Sequence, residues 1–204
     1  MSKKPVIVFE GIEGSGKSFH INNVVNYLKK KKISFIKLRE PGGSKNSELI
    51  RKLILDKKSN FSSNTDLLLY LAERSENMNQ LKKFYKKKII LIDRFTDSTI
   101  AYQHYGMNVN LNLINFINRF ILQNFRVDFT FLNTVNKKNM YSRLKKRKKL
   151  NRYDKFNYNF YSKVQKGFIK LARKKTKKCI IIDSNLETKI NKELIIKKID
   201  KLIK

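Results

Sequence analysis

The sequence predicts an α/β fold of three layers, a five-stranded parallel sheet flanked on both faces by helices. Three observations carry that expectation. Short apolar runs rich in β-branched residues alternate with helical patterns along the whole chain. The first run leads directly into Gly11-Ile12-Glu13-Gly14-Ser15-Gly16-Lys17-Ser18, a phosphate-binding loop pattern that needs a strand before it and a helix after it. The run Ile89-Ile90-Leu91-Ile92 is apolar at every position, as a strand covered on both faces must be.

Residues 6–9 form the first strand, and residues 19–31 the helix behind the loop. The glycines let backbone N–H groups turn inward around an anion, Lys17 reaches the β- and γ-phosphates, and the Ser18 hydroxyl is placed to ligate Mg²⁺. The helix N-terminus adds its partial positive charge. Residues 33–39 alternate as a second strand, ended by Glu40-Pro41-Gly42-Gly43. Ser44 or Asn46 caps a helix to about Asp56, with Leu49, Ile50, Leu53 and Ile54 on one face. After a Ser/Asn-rich break at 59–64, Ser63 and Asp66 resemble the capping box of a long helix whose buried stripe is Leu67, Leu68, Leu71, Met78 and Leu81. Residues 88–93 are the third strand. Helical pattern runs from about Asp97 to Tyr105, pauses at Gly106 and resumes over 111–123. A fourth strand at 127–132, a very basic segment at 140–149, a helix at 155–174, a fifth strand at 180–183 and an amphipathic helix at 189–203 complete the order.

At 204 residues the chain fits one domain, 1–204, with room for a core. It contains no apolar run of membrane-spanning length, and its N-terminus leads into a strand instead of a signal-peptide core, so a cytoplasmic protein with no membrane partner is expected. Cys179 is the single cysteine and reads as an inert core residue. The net charge of +31 is spread through lysine runs at 29–32, 86–88 and 145–149. That scatter fits solvated faces better than a groove built for nucleic acid, while still drawing anionic nucleotides toward the protein.

A phosphate loop says that a nucleotide binds; the other loops at strand C-termini decide its use. Asp93, where the third strand ends, is placed to hold Mg²⁺ directly or through water opposite Ser18, and Arg94 beside it suits bidentate contact with a phosphate. Tyr70 and Arg74 share a helix face, offering a stacking ring and a two-pronged donor suited to a flat heterocycle. Thr99, Tyr102 and Gln103 fall on another face and suit a base and sugar pocket.

Glu10 to Ser18, Arg39-Glu40-Pro41-Gly42-Gly43, Leu67 to Arg74, Asp93-Arg94-Phe95-Thr96-Asp97-Ser98-Thr99-Ile100-Ala101-Tyr102-Gln103 and Asn151-Arg152-Tyr153-Asp154 together resemble thymidylate kinases in order and spacing, over nearly the whole chain. The resemblance implies a P-loop nucleotide kinase domain with a helical lid at about 140–154, transferring the γ-phosphate of ATP to dTMP with Mg²⁺. It implies that Gly11 to Phe19 and Arg143 bind ATP, and that Lys17 and Arg94 are catalytic. Glu13 would hold the 3′-hydroxyl side of the sugar, Tyr70 would stack on thymine, and Arg74 would read the base. Arg94 would grip the acceptor phosphate, Tyr102 would exclude a ribose 2′-hydroxyl, and Arg39, Pro41, Thr99 and Gln103 would complete the acceptor site. Tyr70 departs from the Phe usual there. The loop's inner residues, Ile12 to Ser15, carry no cation, so the lid must supply the arginine that stabilises the transferring phosphoryl group. Arg143, Arg147 and Arg152 are the candidates, with Arg147 and Arg152 assigned to catalysis and no ranking between them. Family likeness also implies a homodimer. Rival readings are a kinase for another pyrimidine nucleotide or a deoxynucleoside, and a P-loop ATPase that binds nucleic acid.

Overall fold

The computed structural model describes residues 4–147 and 151–204, so part of the expected lid and of the basic segment at 140–149, namely residues 148–150, lies outside the described residues. Strands β1 (Val6–Glu10), β2 (Phe35–Arg39), β3 (Ile89–Asp93), β4 (Phe129–Thr134) and β5 (Cys179–Asp183) pair in parallel in the order β2-β3-β1-β4-β5. Parallel pairing demands crossovers, and helices supply them. They are α1 (Lys17–Lys30), α2 (Lys45–Leu55), α3 (Ser63–Phe84), α4 (Thr96–Thr99), α5 (Leu111–Leu122), α6 (Lys137–Lys145), α7 (Tyr158–Arg173) and α8 (Thr188–Ile203). The middle strands β1 and β3 are buried along nearly their whole length, whereas the edge strands β2 and β5 are half-covered.

Alternation along each strand sends its side chains to two cores. Ile7, Phe9, Leu91 and Phe131 face Ile21, Val24 and Leu28 of α1 and Ile195 and Ile199 of α8. Val6, Val8, Ile90 and Ile92 face Met78 and Leu81 of α3 and Phe125. The chain therefore leaves β1 toward one face and β3 toward the other, and a crevice opens between their C-terminal ends, where open α/β sheets bind ligands.

Several helix details differ from the expectation. Ser44, not Asn46, caps α2, accepting from the Ser47 amide at 3.2 Å. The apolar face of α2 is split: Ile54 is buried, while Leu49 and Leu53 are exposed. Ser62 caps α3, accepting from the Thr65 amide at 3.3 Å, which leaves Asp66 free for another task; Leu68 points outward. Beyond α4 the helix widens into a π-helical stretch, Ile100–Gly106, marked by the Met107 amide donating to the Tyr102 carbonyl at 2.9 Å. Such widenings concentrate at functional sites. Cys179 is half-buried on the edge strand, not in the core, and burial pushes its thiol up to about 11, keeping it protonated and unreactive.

Candidate active site

The phosphate loop leaves β1 under tight constraint. Gly11 has φ 140°, and a Cβ there would lie 2.3 Å from the carbonyl oxygen of Asn133, so no other residue fits. Gly16, at φ 83°, turns the chain into α1 and aims the helix N-terminus along the loop. Lys17 is held by the loop itself, its Nζ donating to the Gly11 carbonyl at 2.8 Å and the Ile12 carbonyl at 2.9 Å. Burial, helped by the charge of Arg94, brings its pKa down to about 7. A polyphosphate beside it would restore its charge.

The register that pairs Phe9 with Asp93 brings the end of β3 against this loop, with Ser18 Oγ 3.5 Å from Asp93 Oδ2. Arg94 adopts φ 66°, which turns its side chain into the crevice. Its guanidinium donates to the Gly11 carbonyl and to Glu13, each at 2.8 Å, and lies 5.3 Å from the centre of the Tyr102 ring. The Tyr102 hydroxyl donates to the other oxygen of Glu13. Burial alone would raise the Glu13 pKa, but Arg94 and Lys17 outweigh it and hold the carboxyl below its ordinary range. Behind this cluster Glu10 accepts from the amides of Phe95 at 2.9 Å and Ser98 at 3.2 Å, clamping the turn that carries Arg94. Burial and the neighbouring Asp97 push Glu10 up to about 7.

From α3, Arg74 is only 1% exposed. Its Nε and Nη2 donate to one oxygen of Glu40 at 2.9 and 2.7 Å, its Nη1 donates to Asn118 at 2.8 Å, and Phe95 stacks beneath it at 5.1 Å. Glu73 accepts from the Gly42 amide at 3.1 Å and from Asn77 at 3.0 Å, and burial raises the carboxyl pKa values of both Glu40 and Glu73. Arg39 is half-exposed and gripped by both oxygens of Glu48, at 2.9 and 3.0 Å.

Lys17, Ser18, Glu13, Arg39, Pro41, Tyr70, Arg74, Asp93, Arg94, Thr99, Tyr102, Gln103 and Arg147 line one cavity. Within the loop Ile12 and Ser15 are buried, and Phe19 is exposed on α1. Of the other arginines expected in a lid, Arg143 reaches the loop, donating to the Gly14 carbonyl at 3.0 Å and the Ser184 carbonyl at 2.6 Å. Arg152 pairs with Asp66 and is absent from the cavity lining.

A family model described as thymidylate kinase matches residues 9–195. The thymidylate kinase of Wolbachia pipientis wMel is 36% identical over 200 residues, 96% of this chain and 98% of that protein. That of Acholeplasma laidlawii is 35% identical over 182 residues, 88% of this chain and 90% of the relative. The crystal structure of thymidylate kinase from Ehrlichia chaffeensis superposes with a TM-score of 0.78 at 29% identity, covering 97% of this chain and 98% of that one. The chain belongs to the thymidylate kinase family.

Tyr70, the departure from the expected Phe, packs edge-on against Tyr153, with ring centres 6.2 Å apart. Arg51 also lines the cavity and carries no sequence expectation, while Ser98, Asn151 and Tyr153, marked in the sequence only within motifs, line it too, and Asp66, read from the sequence only as a helix cap, lies just behind it. Arg51 had a usable signal, since it stands four residues before Leu55 on the same face of α2. Asp66 had none, because its close partners Arg152 and Tyr153 are more than eighty residues away in sequence and its longer contact, Gln103, is 37 away.

Proposed function

We propose that the cavity is where the two nucleotides of an ATP:dTMP phosphotransferase meet end to end. As a thymidylate kinase, the protein transfers the γ-phosphate of ATP to dTMP and releases dTDP, a step toward dTTP. The observation that carries the placement is a shared atom. Lys17 and Arg94 both donate to the Gly11 carbonyl oxygen at 2.8 Å, so the cation of the donor site and the cation of the acceptor site are immediate neighbours. A phosphate entering from either side would replace this carbonyl as their partner.

In this reading Lys17 and the amides of Gly11 to Ser18 hold the ATP phosphates, with Phe19 and Arg143 flanking the donor site. Arg94 aligns the acceptor phosphate, Glu13 and Tyr102 hold the sugar, and Tyr70 stacks on the base. Arg74, already fixed by Glu40 and Asn118, presents its remaining N–H groups to the base with little side-chain entropy left to lose. Arg39, Pro41, Thr99 and Gln103 complete the acceptor side. Catalysis is positional and electrostatic, with no covalent enzyme intermediate. The lid arginine Arg147 lines the cavity and is the cation best placed to stabilise the transferring group, while Arg152 serves from behind.

Ser18 and Asp93 fit a magnesium site, because Mg²⁺ is held by one or two oxygen side chains together with substrate phosphates and water. When bound, the ion neutralises charge on the phosphate oxygens.

The reading treats residues 1–204 as one nucleotide kinase domain in the cytoplasm, with no specific nucleic-acid partner for its lysine-rich surface. No helix among the described residues is long and apolar enough to cross a membrane. It also includes a homodimer. Helix α3 packs between α2 and α5, and these three present Leu49, Leu53, Leu68, Leu113, Phe116 and Phe120 outward, with Phe120 75% exposed. A second copy of the chain is the partner that would cover them. Coupled assays with dTMP, dUMP, CMP and thymidine test the function, with dTMP expected to give the highest kcat/KM. ATP turnover stimulated by DNA or RNA and indifferent to dTMP would overturn it.

A further inference from the structure

Asp66 is 1% exposed, although it stands in the first turn of α3, where an acid is ordinarily solvated. A carboxylate removed from water needs partners for both oxygens. Here the close ones come from the far arm of the lid, while Gln103 Nε2 is a longer donor to one oxygen at 3.4 Å. One oxygen receives Arg152, whose guanidinium is packed 5.5 Å from the Phe61 ring centre and 5.1 Å from that of Tyr153. The other accepts from the Tyr153 hydroxyl at 2.6 Å.

Arg152 and Tyr153 open a short 3-10 turn, Arg152–Lys155, which also holds Asp154. The Asp154 side chain is 3% exposed; one of its oxygens accepts from the Asn151 amide at 2.7 Å and the other from Arg147 Nη1 at 3.0 Å. Arg147 lines the cavity. A continuous set of contacts thus runs from α3, through this turn, to a cavity cation. Tyr70 joins it, its ring packing edge-on against that of Tyr153 with centres 6.2 Å apart.

We propose that Asp66 is a positioning residue for phosphoryl transfer: it docks the Arg152–Tyr153 turn on α3 and, through Asp154, sets Arg147 over the reacting phosphates. Arg152 is then a latch and Arg147 the cation that reaches the chemistry. This rests on the reading of Arg147 as the lid arginine of the transfer step. Because Tyr70 is tied to the same turn, occupation of the base slot also bears on where Arg147 stands.

The test is steady-state kinetics with ATP and dTMP on Asp66→Asn, Tyr153→Phe, Arg147→Ala and the Asp66→Asn/Arg147→Ala double variant. Loss of one aimed donor costs about 100-fold or more, so Arg147→Ala should lower kcat by about that factor, and Asp66→Asn by about 10- to 100-fold. KM for dTMP should change by less than about threefold, since the interaction acts in the transition state. The double variant should fall within about threefold of Arg147→Ala alone, because residues acting through one another are non-additive. Tyr153→Phe removes one hydroxyl and gives the same directional result should Asp66→Asn fold poorly. Wild-type kcat in Asp66→Asn or Tyr153→Phe overturns the proposal, as does a double variant in which the two losses multiply. Should Arg147→Ala keep wild-type kcat, the assignment of Arg147 falls and this inference with it, while dTMP phosphorylation by the wild type still stands.

Discussion

Replacing Arg94 by lysine keeps a positive charge at the proposed acceptor site and removes the fork. Arg94 donates through Nη1 to the Gly11 carbonyl and through Nη2 to Glu13, both at 2.8 Å, a two-pronged reach that an ammonium on a flexible stem does not reproduce. The residue sits at φ 66°, a left-handed conformation that lysine adopts at the same cost as arginine, so backbone strain cancels in the comparison. What remains is the loss of one charge-assisted hydrogen bond to the acceptor phosphate, about 1.5–3 kcal/mol. That corresponds to a fall in kcat/KM for dTMP of about 10- to 150-fold at saturating ATP. Thermal unfolding followed by circular dichroism should show little change in Tm, because Tyr102 still donates to Glu13 and Glu10 still clamps the turn. Wild-type kcat/KM in Arg94→Lys would refute the assignment of Arg94 to the acceptor phosphate.

Three further outcomes follow from the same geometry. The Lys17 pKa lies near 7 in the free protein and rises when a polyphosphate arrives, so ATP binding takes up a proton and affinity declines as pH climbs above 7, by at most about tenfold per unit. Calorimetry at pH 8 in buffers of different ionisation enthalpy should detect that uptake in the wild type and lose it in Lys17→Arg; zero uptake in the wild type contradicts the reading. Glu10 is raised from 4.5 to about 7 on folding, so its contribution to stability is greatest below pH 4.5 and is lost progressively up to pH 7, roughly 3 kcal/mol in all. Urea unfolding at pH 5 and 7.5 should show a smaller difference between the two conditions in Glu10→Gln than in the wild type; an equal difference removes Glu10 as the source. Gly11→Ala places a Cβ 2.3 Å from a backbone oxygen at φ 140° and should cost about 2–5 kcal/mol in chemical denaturation, a result that unchanged stability would rule out.

The sheet and its flanking helices were legible because their cues are local. Apolar β-branched runs, the loop glycines and the Pro-Gly-Gly stop each act within a few residues. The strand order was not, since pairing β3 beside β1 depends on how helices pack after the crossover. Helix faces were read half correctly for a physical reason: a stripe of leucines marks where apolar surface lies and says nothing about what covers it. Leu49, Leu53 and Leu68 belong to their stripes and yet face outward. Ser62 and Ser63 offer identical capping chemistry, and the structure chose the first, which released Asp66 for Arg152 and Tyr153. At the site, Arg74 could be marked from its spacing to Tyr70. That it is locked by Glu40 and Asn118 could not, because those partners come from other elements at separations of 34 and 44 residues.

In the proposed reading, donor and acceptor phosphates meet between Lys17 and Arg94. The most direct measurement is conversion of dTMP by the purified protein with ATP and Mg²⁺, followed by separation of the nucleotide products. The expected products are dTDP and ADP in equal amounts, with both lost in Lys17→Ala and in Arg94→Ala. Unchanged dTMP alongside a folded wild-type protein, or ADP formed at the same rate without any acceptor, would contradict it.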